Sequence, residues 1–316
     1  GIFSAKITTP VDLTDGSYKN RAFSRGMAGE PLFSPDNPPH LLPITDKIEY
    51  EFYKTLEAKP WTAQSIKYID DLKGWDLLTE DERQMSLVVF SGFANLETIV
   101  VEDSQNFGEL VTLQECKHFL SLKSYNECVH NESYLGVIDL FARDEAHKQE
   151  MKLAYLNIPA IKAKSVWGKR WLGDEATVQE NIVARVFFEG INFSSSFLWI
   201  LYLKIGGNLP GTCTLNDYVI FDEGVHRDEG IYLYSKKIVN KLSESRVREI
   251  AMEAVQNEID FFSYAIGDRV ILGFPKDKVF DYIRSLADSI LVALGHQKIW
   301  NAVNQIDWSD AQSLET

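Results

Sequence analysis

Twice in this sequence a lone glutamate in a long apolar run is followed, one helix later, by a Glu-x-x-His quartet. Glu97 precedes E127-C-V-H130 by 30 residues, and Glu189 precedes E223-G-V-H226 by 34. On an α-helix, positions i and i+3 share a face, so each quartet aims a carboxylate and an imidazole at one point. Two such helix pairs converge four carboxylates and two imidazoles on the centre of a bundle. A low-dielectric core tolerates that much negative charge only if it is cancelled, and two divalent cations cancel four carboxylates.

The surrounding pattern is helical. T79-E-D-E82 and T112-L-Q-E115 have the form of capping boxes and open amphipathic runs over about 80–107 and 113–142, divided at Gly108. Helical spacing continues over about 145–156, 159–170, 177–205, 215–240, 244–265 and 276–297, with GGNLPG (206–211) and GFP (273–275) as breaks. No stretch alternates strictly enough for a central strand. The expectation is all-α: a ferritin-like helical bundle with additional helices, whose dinuclear carboxylate centre has this same ligand pattern. The expected division is an extended Pro- and Gly-rich arm over 1–46, one helical domain over 47–300, and the start of a C-terminal tail over 301–316.

Composition narrows the partners. A net charge of −14 and a pI near 4.9 argue against a nucleic-acid or anionic-membrane surface, both of which require a positive footprint. The most apolar run, about 187–205, is interrupted by Glu189, Asn192, three serines and Lys204, so it predicts a core helix and not a membrane span. Three cysteines, Cys116, Cys128 and Cys213, with no CxxC pair, predict a reduced, cytoplasmic setting. The chain opens on Gly1, which suggests a trimmed start.

Single Glu-x-x-His quartets are common on helix surfaces, and E115-C-K-H118 is assigned to the exposed capping-box end of its helix. Asp144 and His147 lie in a polar stretch expected at the surface. Glu127 and His130 differ, because Tyr134, Val137, Ile138 and Phe141 continue their face apolar. Oxygen-rich ligation with two imidazoles suits iron or manganese. Tyr134, one turn beyond His130, is placed either beside one metal or in the core with a hydrogen-bonded hydroxyl. Phe193, Phe197 and Val219 would form a dry lining.

Longer strings carry a family resemblance. E189-G-I-N-F-S-S-S-F197, LYLKIGGNLPGT and N216-DYVIFDEGVH226 resemble the small, radical-generating subunit of class I ribonucleotide reductase, and similarity runs from WTAQSI at Trp61 through LLTEDER and RWLGDEAT to ALGHQKIW. The resemblance implies a dinuclear centre of two Mn or two Fe ions per chain, or a mixed Mn/Fe pair, held by Glu97, Glu127, His130, Glu189, Glu223 and His226. It implies that this centre generates an oxidant that starts nucleotide reduction in a separate large subunit, and that the small chain forms a homodimer. Tyr134 matches the radical tyrosine, and Trp61, Asp222 and His130 match a hydrogen-bonded relay to the surface. Many iron-tyrosyl members have Asp where this chain has Glu97, and Glu occurs in manganese-using subgroups, so the metal and the seat of the oxidant stay open. Family members also have a docking tail that usually carries a tyrosine, whereas the last tyrosine here is Tyr282, so either the tail is missing or the relay is completed otherwise. A stand-alone di-metal oxidase is the alternative, disfavoured because it needs no relay through Trp61 and Asp222. Iron storage is disfavoured by chain length.

Overall fold

In the computed structural model, which describes residues 26–173 and 175–309, helices are joined by short turns, with no strand among the described residues. Residues 1–25 of the expected arm and 310–316 of the expected tail lie outside that description. Helices α1 (Lys47–Glu57) and α2 (Asp71–Leu77) lead into α3 (Glu80–Leu110) and α4 (Gln114–Phe141), which pack along each other. Then come α5 (Glu145–Lys152), α6 (Ala154–Asn157) and α7 (Pro159–Trp171). A second long pair follows: α8 (Val178–Ile191), continued by α9 (Ser194–Ile205), packs along α10 (Pro210–Tyr232), which also meets α4. After a π-helical turn at Leu233–Lys237, α11 (Glu244–Ile266) and α12 (Val279–Ala293) cover α8 from outside.

Local chemistry sets these boundaries. Thr79 with Glu82 and Thr177 with Glu180 form complete capping boxes that start α3 and α8. Pro210 opens α10, where its missing N–H is no loss. Close approach is needed between α8 and α10: a Cβ on Gly230 would sit 2.8 Å from Val186 Cγ2. The two longest apolar stretches, Glu80–Leu110 and Val178–Ile205, could span a membrane by length and composition, but most of their surface is buried inside the fold, as core helices require.

Several expected boundaries are corrected. The Thr112–Glu115 capping box does not form: the Thr112 hydroxyl donates to the Ser34 carbonyl (2.7 Å), and Leu113 is the helix N-cap. Nor is Glu115 exposed. It is buried, and its carboxylate accepts the backbone N–H groups of Thr45 (2.6 Å) and Asp46 (3.1 Å), tying the segment before α1 onto α4. Helix α3 runs through Gly108 to Leu110, and the run 177–205 breaks between Ile191 and Ser194. Residues 26–46 lie against the bundle, with Leu32 and Phe33 buried and Phe33 edge-on to Phe107 at 5.8 Å. Residues 301–309 also return to it: Asp288 accepts the N–H groups of Ile299, Trp300 and Ala302, and Ile306 is buried.

Candidate metal centre

Helix α3 supplies Glu97, α4 Glu127 and His130, α8 Glu189, and α10 Glu223 and His226; all six are buried. The two quartets meet across the bundle. Nδ1 of His130 lies 3.1 Å from Glu127, 3.3 Å from Glu223 and 3.8 Å from Glu97. Nδ1 of His226 lies 3.1 Å from Glu127 and 2.8 Å from Glu223. Potential donor atoms fall into two overlapping sets, each within 4.8 Å: Glu97, Glu127, His130 and Glu223, then Glu127, Glu189, Glu223 and His226. Glu127 and Glu223 belong to both.

Whether cations fit is tested by the polar atoms left over. Both oxygens of Glu97, one each of Glu127, Glu189 and Glu223, and Nδ1 of His130 are buried without a hydrogen-bond partner. Orphaned acceptors are costly in a core, and so many converging on one point fit two divalent ions. Electrostatics agrees. Burial, only partly opposed by His130, pushes the Glu97 carboxyl up to about 8, and burial raises Glu189 well above the ordinary carboxylate range despite Lys123. Glu127 moves the other way, because Lys123 and His226 outweigh its burial. His226 is raised to about 9: burial and Lys123 oppose its charge, and Glu127 and Glu223 overcome them. Groups with raised proton affinity release those protons when a metal binds.

Lys123 was missed in the sequence. One turn before Glu127, it is fully buried, and its ammonium donates to Glu127 (2.7 Å) and to Glu189. The signal was present: Cys116, Leu120, Lys123, Glu127, His130 and Tyr134 form one stripe at helical spacing, and Lys123 stands inside it.

The expected relay residues are in contact. Trp61 Nε1 donates to Asp222 (2.8 Å), the same oxygen lies 3.1 Å from His130 Nε2, and the indole stacks on the imidazole at 5.6 Å. Trp61 is half-buried and lines a surface cavity of about 460 Å³ with Lys59, Tyr218 and Phe221. Tyr134 is buried, its hydroxyl without a hydrogen-bond partner, and its ring stacks on Phe93 at 4.3 Å with 1° between planes. Burial first, then the nearby Glu97, raises its phenol well above the usual value. Phe193 and Phe197 pack on Phe93 at 5.6 and 5.3 Å, and Val219 is buried, giving the dry surround expected.

The decoys stay apart. His118 Nδ1 faces the Gln114 carbonyl at 2.7 Å, and Asp144 caps α5 by accepting from the His147 N–H. A smaller buried group not foreseen, Glu49, Cys116 and Glu229, joins α1, α4 and α10.

Comparison with known proteins agrees with the fold. The family model for the ribonucleotide reductase small chain matches residues 39–305. The ribonucleoside-diphosphate reductase small chain of Trypanosoma brucei brucei is 34% identical over 92% of this chain and 86% of its own length. A class I ribonucleotide reductase structure from Bacillus halodurans superposes with a TM-score of 0.78 at 26% identity, covering 84% of this chain and all of that one. The Rnr4 homodimer of Saccharomyces cerevisiae gives 0.77 at 24% identity over 88% of each chain.

Proposed function

This chain belongs to the ribonucleotide reductase small-chain family, and from that premise we propose that it holds two iron or manganese ions between α3, α4, α8 and α10 to generate the oxidant used by a large catalytic subunit. The observation that carries this is the pair of overlapping donor sets sharing Glu127 and Glu223. Glu97 and His130 would complete one cation position, Glu189 and His226 the other. When bound, the metals supply one-electron oxidising power from an oxygen species.

The protein's own groups have separable tasks. Tyr134 would supply the oxidisable phenol next to the loaded centre. Its stacking on Phe93 and the surrounding phenylalanines exclude water, which would quench a stored radical. Asp222 fixes the His130 ring by accepting from Nε2, leaving Nδ1 for the metal. Trp61, held by the same carboxylate, connects that ring to the surface where the large subunit would dock. A homodimer is proposed on the likeness to the Saccharomyces cerevisiae homodimer.

The test is to load the protein anaerobically with Fe²⁺ or Mn²⁺, expose it to oxygen or superoxide, and add a class I large subunit with CDP. Two metals per chain and CDP reduction are expected. Glu223→Ala should lose the second ion and all activity, and Tyr134→Phe should lose the radical signal while keeping its metals. Two ions retained by Glu223→Ala would refute the ligand set; full activity in Tyr134→Phe would move the oxidant onto the metals.

A further inference from the structure

Lys123 holds two of the proposed ligands. Its ammonium is fully buried and sits on carboxylates that a cation would also need, and a buried ion pair is broken only at a cost. The lysine is not evenly placed. It binds Glu127, common to both donor sets, and Glu189, which belongs only to the set containing His226. Glu97 and His130, in the other set, have no contact with it among the interactions observed around them.

We propose that Lys123 makes the two cation positions unequal: the Glu97–His130 half fills first and tightly, and the Glu189–His226 half takes its ion only as Lys123 gives up its carboxylate partners. The ammonium acts as a built-in competitor for the second ion. Its single charge lies between Glu127 and Glu189 until that ion arrives, so those carboxylates need not face each other unscreened. Loading then becomes sequential, with a defined one-metal state. The arginine homologue would preserve the competing charge, and a neutral side chain of similar length would remove it.

This inference rests on the proposed dinuclear centre, and a metal titration separates the two. Metal-free protein is titrated anaerobically with Mn²⁺, with bound metal counted after dialysis and the spin state followed by electron paramagnetic resonance. The wild type should retain about one Mn²⁺ per chain with an isolated-ion spectrum, and the second should bind roughly tenfold or more weaker, the minimum expected from displacing a buried ion pair. In Lys123→Gln, and in Lys123→Met should the amide disturb folding, the two affinities should come within a few-fold and a coupled-pair spectrum should appear from the first additions. Lys123→Arg should keep the wild-type gap. Equal affinities in the wild type, or an unchanged gap in both neutral variants, would overturn the role of Lys123 with the dinuclear centre intact. Failure of every variant to bind a second ion at saturating Mn²⁺ would overturn the centre itself.

Discussion

Asp222 is the residue on which the site's two outputs part company. One of its oxygens serves both the Trp61 indole and the His130 ring, so it orients a proposed metal ligand and anchors the proposed route to the surface. Asp222→Asn keeps an oxygen that can accept but loses the charge, and metal affinity should fall about 10- to 100-fold, the usual loss when a group behind a ligand is altered. Trp61→Phe should leave metal content and the Tyr134 radical unchanged while abolishing CDP reduction with the large subunit. Metal counts, radical yield and turnover on both variants check this, and a Trp61→Phe protein of normal turnover would remove the indole from the route. At this scale the acids and imidazoles were legible because Glu-x-x-His spacing forces two side chains onto one point. Lys123 was not, because lysines on helices ordinarily reach water, and only its place in the stripe, between Leu120 and the Glu127–His130 pair, marks it as buried.

Helix α1 is held on α4 and α10 by two carboxyl groups of opposite character. Glu115 accepts backbone N–H groups and the Thr45 hydroxyl, and these outweigh its burial and lower its affinity for a proton. Glu49 is fully buried beside Glu229 and Cys116, and burial, then repulsion from Glu229, raises it well above 4.5. Their pH signatures must therefore differ in sign. The stabilisation from Glu115 is present above about pH 4.5 and is lost as pH falls through its lowered folded value; Glu115→Gln should cost about 1–3 kcal/mol at pH 7 and progressively less below pH 4. Glu49 favours the fold while protonated and progressively destabilises it as pH rises above 4.5, where the unfolded carboxyl ionises. Glu49→Gln should accordingly match the wild type near pH 4.5 and exceed it increasingly toward pH 8. Urea unfolding across this range checks both, and parallel curves would refute the assignment. The sequence placed α3 and α4 within a few residues, yet read Thr112 and Glu115 as a local cap. Local spacing cannot reveal that the Ser34 carbonyl and the Thr45 and Asp46 N–H groups, tens of residues away, take those side chains instead.

Across the whole molecule, the shape of the site depends on a break that apolar periodicity could not show, because residues on both sides of it are buried. Between α8 and α9 the backbone leaves polar groups inside the core, and an ion pair from two other helices takes them up. Lys164 on α7 donates to the Asn192 carbonyl (2.5 Å) and to Glu258 on α11, whose other oxygen accepts the Ser195 N–H (2.7 Å). All four residues at this junction are buried. Glu189 lies one turn before the break and Phe193 within it, so the pair supports both a proposed ligand and the dry wall beside Tyr134. Lys164→Met strands the Glu258 charge and should cost about 3–5 kcal/mol. A buried pair whose only partners are each other is often replaced by apolar residues without loss, but this pair also serves the backbone. Lys164→Met with Glu258→Met should therefore recover only part of the stability, because the Asn192 carbonyl and Ser195 N–H remain buried without partners at about 1–3 kcal/mol each. Denaturant unfolding of the single and double variants decides the point: a double variant as stable as the wild type would mean that the break is held by helix packing alone.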